Sequence, residues 1–198
     1  MVKKAYVITA AVILIVVIAA IVTYWYYIRP SGPQTVTPIK IGGLFSLTGP
    51  VPLMGRDQLN GFLMAIDDIN NGEGAWKALG HGKGVLGRPV ESVVEDDECN
   101  PEVAVTKLRK LVLEHDIHMV IGLLSTGCTL AVMPKLPEYK CILFAYAHGT
   151  SLSKKYPLSG GWLFNLHVDS RTYGYGLVKA MRDKYPEVKS LAYIGPDY

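Results

Sequence analysis

Acidic residues are missing from the first thirty positions, where Lys3, Lys4 and Arg29 are the only Lys or Arg side chains. Between these bases runs the apolar stretch AYVITAAVILIVVIAAIV, followed by the aromatic group Tyr24, Trp25, Tyr26 and Tyr27. As a helix rising about 1.5 Å per residue, Ala5 to Ile28 reaches roughly 36 Å, more than a hydrocarbon core of about 30 Å. Lys3 and Lys4 favour a cytoplasmic N-terminus, and the aromatic residues suit the opposite interface. A cleaved signal peptide is the alternative, with an apolar region of about 7 to 15 residues and a small-x-small cleavage site. The run here is longer, and its best such site, Val17-Ile18-Ala19, is followed by further apolar residues. No cysteine follows the run closely, which argues against a lipid-bearing N-terminus. Residues 1–30 are therefore expected to form a membrane anchor or signal segment. Residues 31–38, within the Pro-, Ser- and Thr-rich RPSGPQTVTP, are expected to be a linker. The rest of the chain is expected on the extracytoplasmic side of the cell membrane behind a single span, or secreted if the segment is cleaved.

Net charge is lacking beyond that segment. The chain has 20 Lys and Arg against 17 Asp and Glu, and Lys3, Lys4 and Arg29 account for the whole excess. Nucleic-acid binding needs a concentrated basic surface, and no Lys/Arg stripe interleaved with aromatics occurs. Internal repeats are absent too, so the remainder reads as one domain of ordinary size. Signatures of catalysis and metal binding are equally scarce. The five histidines, His81, His115, His118, His148 and His167, show no ligand spacing with cysteines or acids. Gly82-Lys83-Gly84-Val85-Leu86-Gly87 fits GxGxxG, but that motif works between a strand and a following helix, and here the order is reversed. Lys83 lacks the Ser or Thr that a P-loop requires after it, and no GxSxG elbow occurs. Neither an enzyme nor a cofactor is expected. Glu95, Asp96, Asp97 and Glu98 could serve a hard cation. The favoured reading is a solvated strand end in which one carboxylate bonds backbone amides of a neighbouring loop.

Cysteine is scarce, at three residues. Outside the cytosol cysteines tend to pair. Cys99 and Cys128 each fall just past an apolar run, at loop positions where neighbouring strand ends can meet, and a Cys99–Cys128 bridge is expected. Cys141 opens the run CILFAYA and reads as buried. Three free thiols are the alternative, since connectivity is not legible in a sequence.

What the chain does have is a repeated strand and helix order. IKIGGLFSL reads as a strand, TGPVPLMG as a turn, and Gln58 to Asn70 as a helix with Leu59, Phe62, Leu63, Ala65, Ile66 and Ile69 on its apolar face. The Gly-rich NNGEGAWKALGHGKGVLGRP then connects to the strand VESVVEDD. Asn100, Pro101 and Glu102 mark a helix start: Asn caps free amides, Pro suits the first turn, and the acid faces the positive end of the dipole. That helix runs to about His115, with Val103, Leu108, Leu111 and Val112 inward. Strand HMVIGLL, a short helix near Leu130 to Glu138, strand CILFAYA and the turn HGTSLSK follow. Strand WLFNLHV, a helix from about Arg171 to Tyr185 stopped by Pro186, and the strand SLAYIG complete the pattern. Such alternation predicts an α/β fold whose mostly parallel sheet is flanked by helices. Ligands of these sheets lie beyond the C-terminal strand ends, which singles out residues 46–57, 99–100, 125–129 and 148–153.

Taken together, IKIGGLFSLTGPVPLMGRDQLNGFLMAIDDINNGEG, GVLGRPVESVVEDDECNPEVAVTKLRKLV, VIGLLSTGCTLAVMP, CILFAYAHGTSLS and LAYIGPDY resemble the leucine/isoleucine/valine-type periplasmic binding proteins, the type I solute-binding fold of ABC importers. The likeness runs in order through nearly all of residues 39–198. It implies two α/β lobes that close over a small ligand, most often an amino acid, with residues 39–165 as lobe one and 166–198 as the start of lobe two. Matched motif to motif, the positions that hold the ligand's carboxylate fall on Ser125 and Thr126 of the STG loop and on Thr150 of AHGTS. Hydroxyls and helix-start amides suit that task, because a carboxylate stripped of water needs several donors. Ordinary capping of the following helices is their competing role. Leu124 matches an apolar and backbone contact, and His148 a position that offers its backbone carbonyl to the ligand amine. Met54 stands where an aromatic wall residue is common, and Tyr198 matches a wall residue on lobe two.

The resemblance also exposes departures. Cys99 matches the family's first disulfide position, whereas Cys128 lies three positions beyond the second, which holds Ser125 here. His148 is bulky where the family often has a small residue. Tyr198 ends the chain after the first strand of the expected second lobe, so a truncated or split gene product, or a fragment, is expected, with residues 170–198 poorly supported. The implied function is the extracytoplasmic substrate-binding component of an ABC importer, which passes a small amino acid or amide to permease subunits. A ligand-sensing receptor ectodomain and an inactive truncated product are the alternatives.

Overall fold

The computed structural model describes residues 2–27, 36–149, 152, 155–168, 170–190, 192 and 194. The chain divides into two units, Met1–Val36 and Thr37–Tyr198. The first contains helix α1, Val2–Tyr27, whose side chains are described over residues 13–25. Among the described residues no helix is long and apolar enough to cross a membrane. The expected membrane span is thus not supported among the described residues.

The second unit is built on five parallel strands: β1 Ile39–Phe45, β2 Val90–Asp96, β3 Met119–Gly122, β4 Ile142–Ala145 and β5 Leu163–Asn165. They lie in the order β2-β1-β3-β4-β5. Ile39 pairs with Val90 and Phe45 with Asp96, while Gly42 faces Val120, Met119 faces Ile142 and Leu143 faces Leu163. Helices α2 Pro52–Asn71, α3 Gly74–Ala78, α4 Pro101–Leu113, α5 Thr126–Val132 and α6 Leu136–Tyr139 surround the sheet or join its strands, and α7 Ser170–Lys184 follows β5. The α/β class read from the sequence is the one observed.

Strand alternation explains the two cores. Leu44, Val120, Leu143 and Ala145 point to one face and pack with Ala104, Leu108, Leu111 and Val132 from α4 and α5. Phe45, Val94 and Ile121 point to the other and meet Phe62 and Ile66 of α2. Each fully buried leucine here contributes about 1.5–3 kcal/mol of burial free energy. Asn100 caps α4 as expected, its side chain accepting from the Glu102 and Val103 amides.

Several elements differ from expectation. Helix α2 begins at Pro52, inside the stretch read as a turn, because Pro52 suits a first helical position and Gly55 lets that turn close on the end of β1. A Cβ on Gly55 would lie 2.0 Å from the Ser46 carbonyl oxygen. The helix expected near Leu130 starts at Thr126, capped by Ser125, and gives way to a 3-10 turn at Met133–Lys135, where Pro134 has no N–H to continue the ladder. Cys128 therefore sits buried in α5 and not in a loop, and Cys99, Cys128 and Cys141 are all free thiols, so the expected bridge is not formed. The acidic group is not simply solvated either. Glu95 is nearly buried and paired with Lys107 and Lys110, and Asp97 is fully buried. Strand WLFNLHV is paired only over Leu163–Asn165, because Asn165 turns its side chain to the Ala147 amide and to the Ala147 and His167 carbonyls. Helix α7 buries none of its described residues, and the strand expected at SLAYIG lies outside the described residues, save Ser190, Ala192 and Ile194.

Candidate functional site

The strand order reverses direction between β1 and β3, leaving a crevice beyond the C-terminal ends of these strands. Three segments reach it: the loop and first turn of α2 after β1, the start of α5 after β3, and the chain after β4. Asp96 fixes the first of these, accepting from the Leu47, Thr48 and Glu98 amides and from the Thr48 hydroxyl. Desolvation pushes the Asp96 carboxyl up, but these bonds outweigh it and hold the group below its usual value. Beside it the buried Asp97 accepts from Ser46 Oγ at 2.6 Å and from the Cys99 amide at 2.8 Å. Burial dominates there and raises its pKa. Burial also pushes the Cys128 thiol up to about 11, so it stays protonated and unreactive at neutral pH.

Leu123 turns the second segment. It has φ 59, is fully buried, and donates its amide to the Leu44 carbonyl at 2.8 Å. A left-handed leucine costs about 1–2 kcal/mol, and the buried contacts of its side chain hold it there. Just past it, the Ser125 side chain accepts from the Cys128 amide at 3.5 Å, and Thr126 Oγ1 accepts from the Gly149 amide at 2.9 Å. Gly149 permits this approach, since a Cβ on it would sit 2.3 Å from Thr126 Cγ2. Both hydroxyls act as acceptors in these bonds, and among the described residues neither is seen donating its hydrogen to a side-chain or backbone oxygen near the hollow.

A hollow of about 450 Å³ opens between the segments, lined by Met54, Asp57, Gln58, Leu124, Tyr146 and His148. Its size suits a small molecule. Met54, Leu124 and His148 are thus brought to one place, with Ser125 and Thr126 following Leu124 along the chain. Thr150 and Tyr198 lie outside the described residues. His148 uses its carbonyl elsewhere: the oxygen accepts from the Ser170 amide at 2.8 Å and from Ser170 Oγ at 2.7 Å. Its ring meets His167 edge-on at 4.0 Å, and Tyr146 lies 4.5 Å from His167. Desolvation, with the neighbouring His167, lowers the His148 pKa and keeps the imidazole neutral at pH 7.

Gln58 and Tyr146 were not among the residues expected at the site, and Asp57 was expected only as the end of the segment 46–57, with no role of its own. Met54, Asp57 and Gln58 fall at i, i+3 and i+4 on one face of α2, a signal hidden once the first turn is read as a loop. Tyr146 follows the last residue of β4, where the apolar run CILFAYA suggested continued strand. No group of three or more His, Cys, Asp or Glu suited to a metal occurs among the described residues. A separate hollow on α7, lined by Val178, Met181, Arg182, Tyr185 and Val188, gathers none of the loop residues.

The sequence pattern of the family described as periplasmic binding protein matches residues 38–198. The leucine-, isoleucine-, valine-, threonine-, and alanine-binding protein of Pseudomonas aeruginosa is 35% identical over 91 residues, which is 46% of this chain and 21% of that protein. An ABC transporter substrate-binding protein from Sphaerobacter thermophilus superposes with a TM-score of 0.62 at 25% identity, over 76% of this chain and 38% of that one. The branched-chain amino acid transporter substrate binding protein of Streptococcus pneumoniae, solved in complex with isoleucine, gives 0.56 at 24% identity, over 67% and 34%. The chain therefore spans well under half the length of these relatives. With its parallel sheet, its crevice at the strand ends and a pattern match over most of its length, the chain belongs to the periplasmic binding protein family.

Proposed function

We propose that this chain supplies one lobe of the extracytoplasmic substrate-binding component of an ABC importer and binds a small amino acid or amide. The observation that carries this reading is the meeting of Met54, Leu124 and His148, from three separate segments, around one hollow at the rim of a parallel sheet. The Ser125 and Thr126 hydroxyls, which follow Leu124 along the chain, accept from backbone amides, and in this reading they give their hydrogens to a carboxylate or carbonyl oxygen of the solute. The binding step is non-covalent. A facing lobe that touches the solute only when closed shifts the hinge equilibrium toward a closed form that permease subunits recognise.

The location belongs to the same proposal. Ile13 to Ile18, Ile21 and Val22 of α1 are apolar and exposed on every side, and a helix with no polar face suits a lipid surrounding. In this reading α1 tethers the domain to the membrane.

Thermal unfolding in the presence of amino acids, short amides and sugars tests the function. Binding raises the midpoint as ligand concentration rises. Amino acids or amides are expected to do so, and a response to sugars alone would remove the substrate reading. Thr126→Val is expected to weaken binding at least tenfold, the loss expected for a bond to a charged group, and also to lower the ligand-free unfolding midpoint, because it removes the acceptor of the Gly149 amide.

A further inference from the structure

In the resemblance, the ligand amine goes to the backbone carbonyl of His148, and in this structure that carbonyl is full. Its oxygen already accepts two hydrogen bonds from Ser170, one from the amide and one from Oγ. A carbonyl oxygen has two lone pairs, so no acceptor site is left for a solute. Other acceptor capacity in the same hollow sits on α2, where Asp57 and Gln58 stand one helical turn after Met54. Gln58 Oε1 is shut off from solvent and has no hydrogen-bond partner among the described residues. Amide oxygens so placed are rare unless a ligand or a water completes them. The last torsion of a glutamine is broad and two-fold, so the side chain that forms this wall can turn its carbonyl toward a solute.

We infer that the solute's nitrogen is held on α2, by the Gln58 side-chain carbonyl with the Asp57 carboxylate beside it, and not by the carbonyl of His148. The ligand class this selects is a small solute with an anionic or carbonyl oxygen at one end and an N–H donor near it. The inference rests on the binding function proposed above. It assigns the amine to a different element from the one the resemblance indicates.

Titration calorimetry of the full chain with leucine and with 4-methylpentanoate, which is leucine without its amine, reads the nitrogen contact directly. Leucine is expected to bind about 10-fold to 100-fold more tightly. Gln58→Leu combined with Asp57→Asn is expected to bring the two affinities within about threefold. Gln58→Glu places a full negative charge at the same point and is expected to widen the gap, a gain that misfolding cannot mimic. Ser170→Pro removes both donors to the His148 carbonyl at a first helical position that tolerates proline, and is expected to leave the preference unchanged. A preference that survives the double variant, or that grows in Ser170→Pro, would return the nitrogen to His148 and overturn the inference. Equal binding of leucine and 4-methylpentanoate would also overturn it, with the carboxylate site left standing. If neither compound binds, nor any other amino acid or amide, the proposed function itself falls.

Discussion

Asn100 supports a whole helix through one side chain. Its Oδ1 accepts from two amides at the start of α4, so Asn100→Ala is expected to cost about 1 kcal/mol, measured by urea unfolding. Asp97 acts in the opposite sense. Burial lifts its carboxyl above the usual 3.8, against the pull of Ser46 and Cys99, so between that value and the raised one the folded chain holds a proton that the unfolded chain has released. Its contribution is therefore greatest below this window, and stability falls as pH rises through it. Asp97→Asn keeps an acceptor and cannot ionise. Its unfolding midpoint is expected to exceed that of the parent at pH 7, with the advantage gone near about pH 3. The capping role of Asn100 was legible because it is local, encoded in Asn-Pro-Glu. The left-handed turn at Leu123 was not, since it rests on a contact with Leu44 far off in the chain, and neither was the burial of Gln58 Oε1 without a partner among the described residues, which depends on how α2 packs.

At the scale of elements, α2 decides the shape of the site. Its first turn lies against the end of β1 only because Gly55 has no side chain, and a Cβ there would strike the Ser46 carbonyl, which belongs to rigid backbone. Gly55→Ala is expected to destabilise the fold by about 1–3 kcal/mol and to displace Met54, Asp57 and Gln58, seen as a lower urea midpoint together with weaker solute binding. In α4, Leu108→Ala is expected to cost about 2–5 kcal/mol in the same assay, because Leu108 is fully buried between the helix and the sheet. Strands β1 to β4 and helix α4 were readable from apolar runs and a capped start. The first turn of α2 was not, because Thr48-Gly49-Pro50 carries turn chemistry right up to Pro52 and masks the helical spacing of Met54, Asp57 and Gln58. Helix α3 was missed for a related reason: it is a single turn within a Gly-rich connector, steadied by Trp76 stacked on His81.

For the whole molecule, the order of strands and helices was enough to give a parallel sheet and to point to its C-terminal rim. Which loops meet across that rim depends on β1 lying between β2 and β3, a fact of topology that no local pattern states. The most direct test is the map of amide chemical shifts in the ¹⁵N-labelled full chain during titration with an amino acid or short amide. The account predicts saturable changes at residues 54–58, 124–126 and 148–149, the segments that line or adjoin the hollow. Saturable changes confined to α7, or none with any such solute, would contradict it.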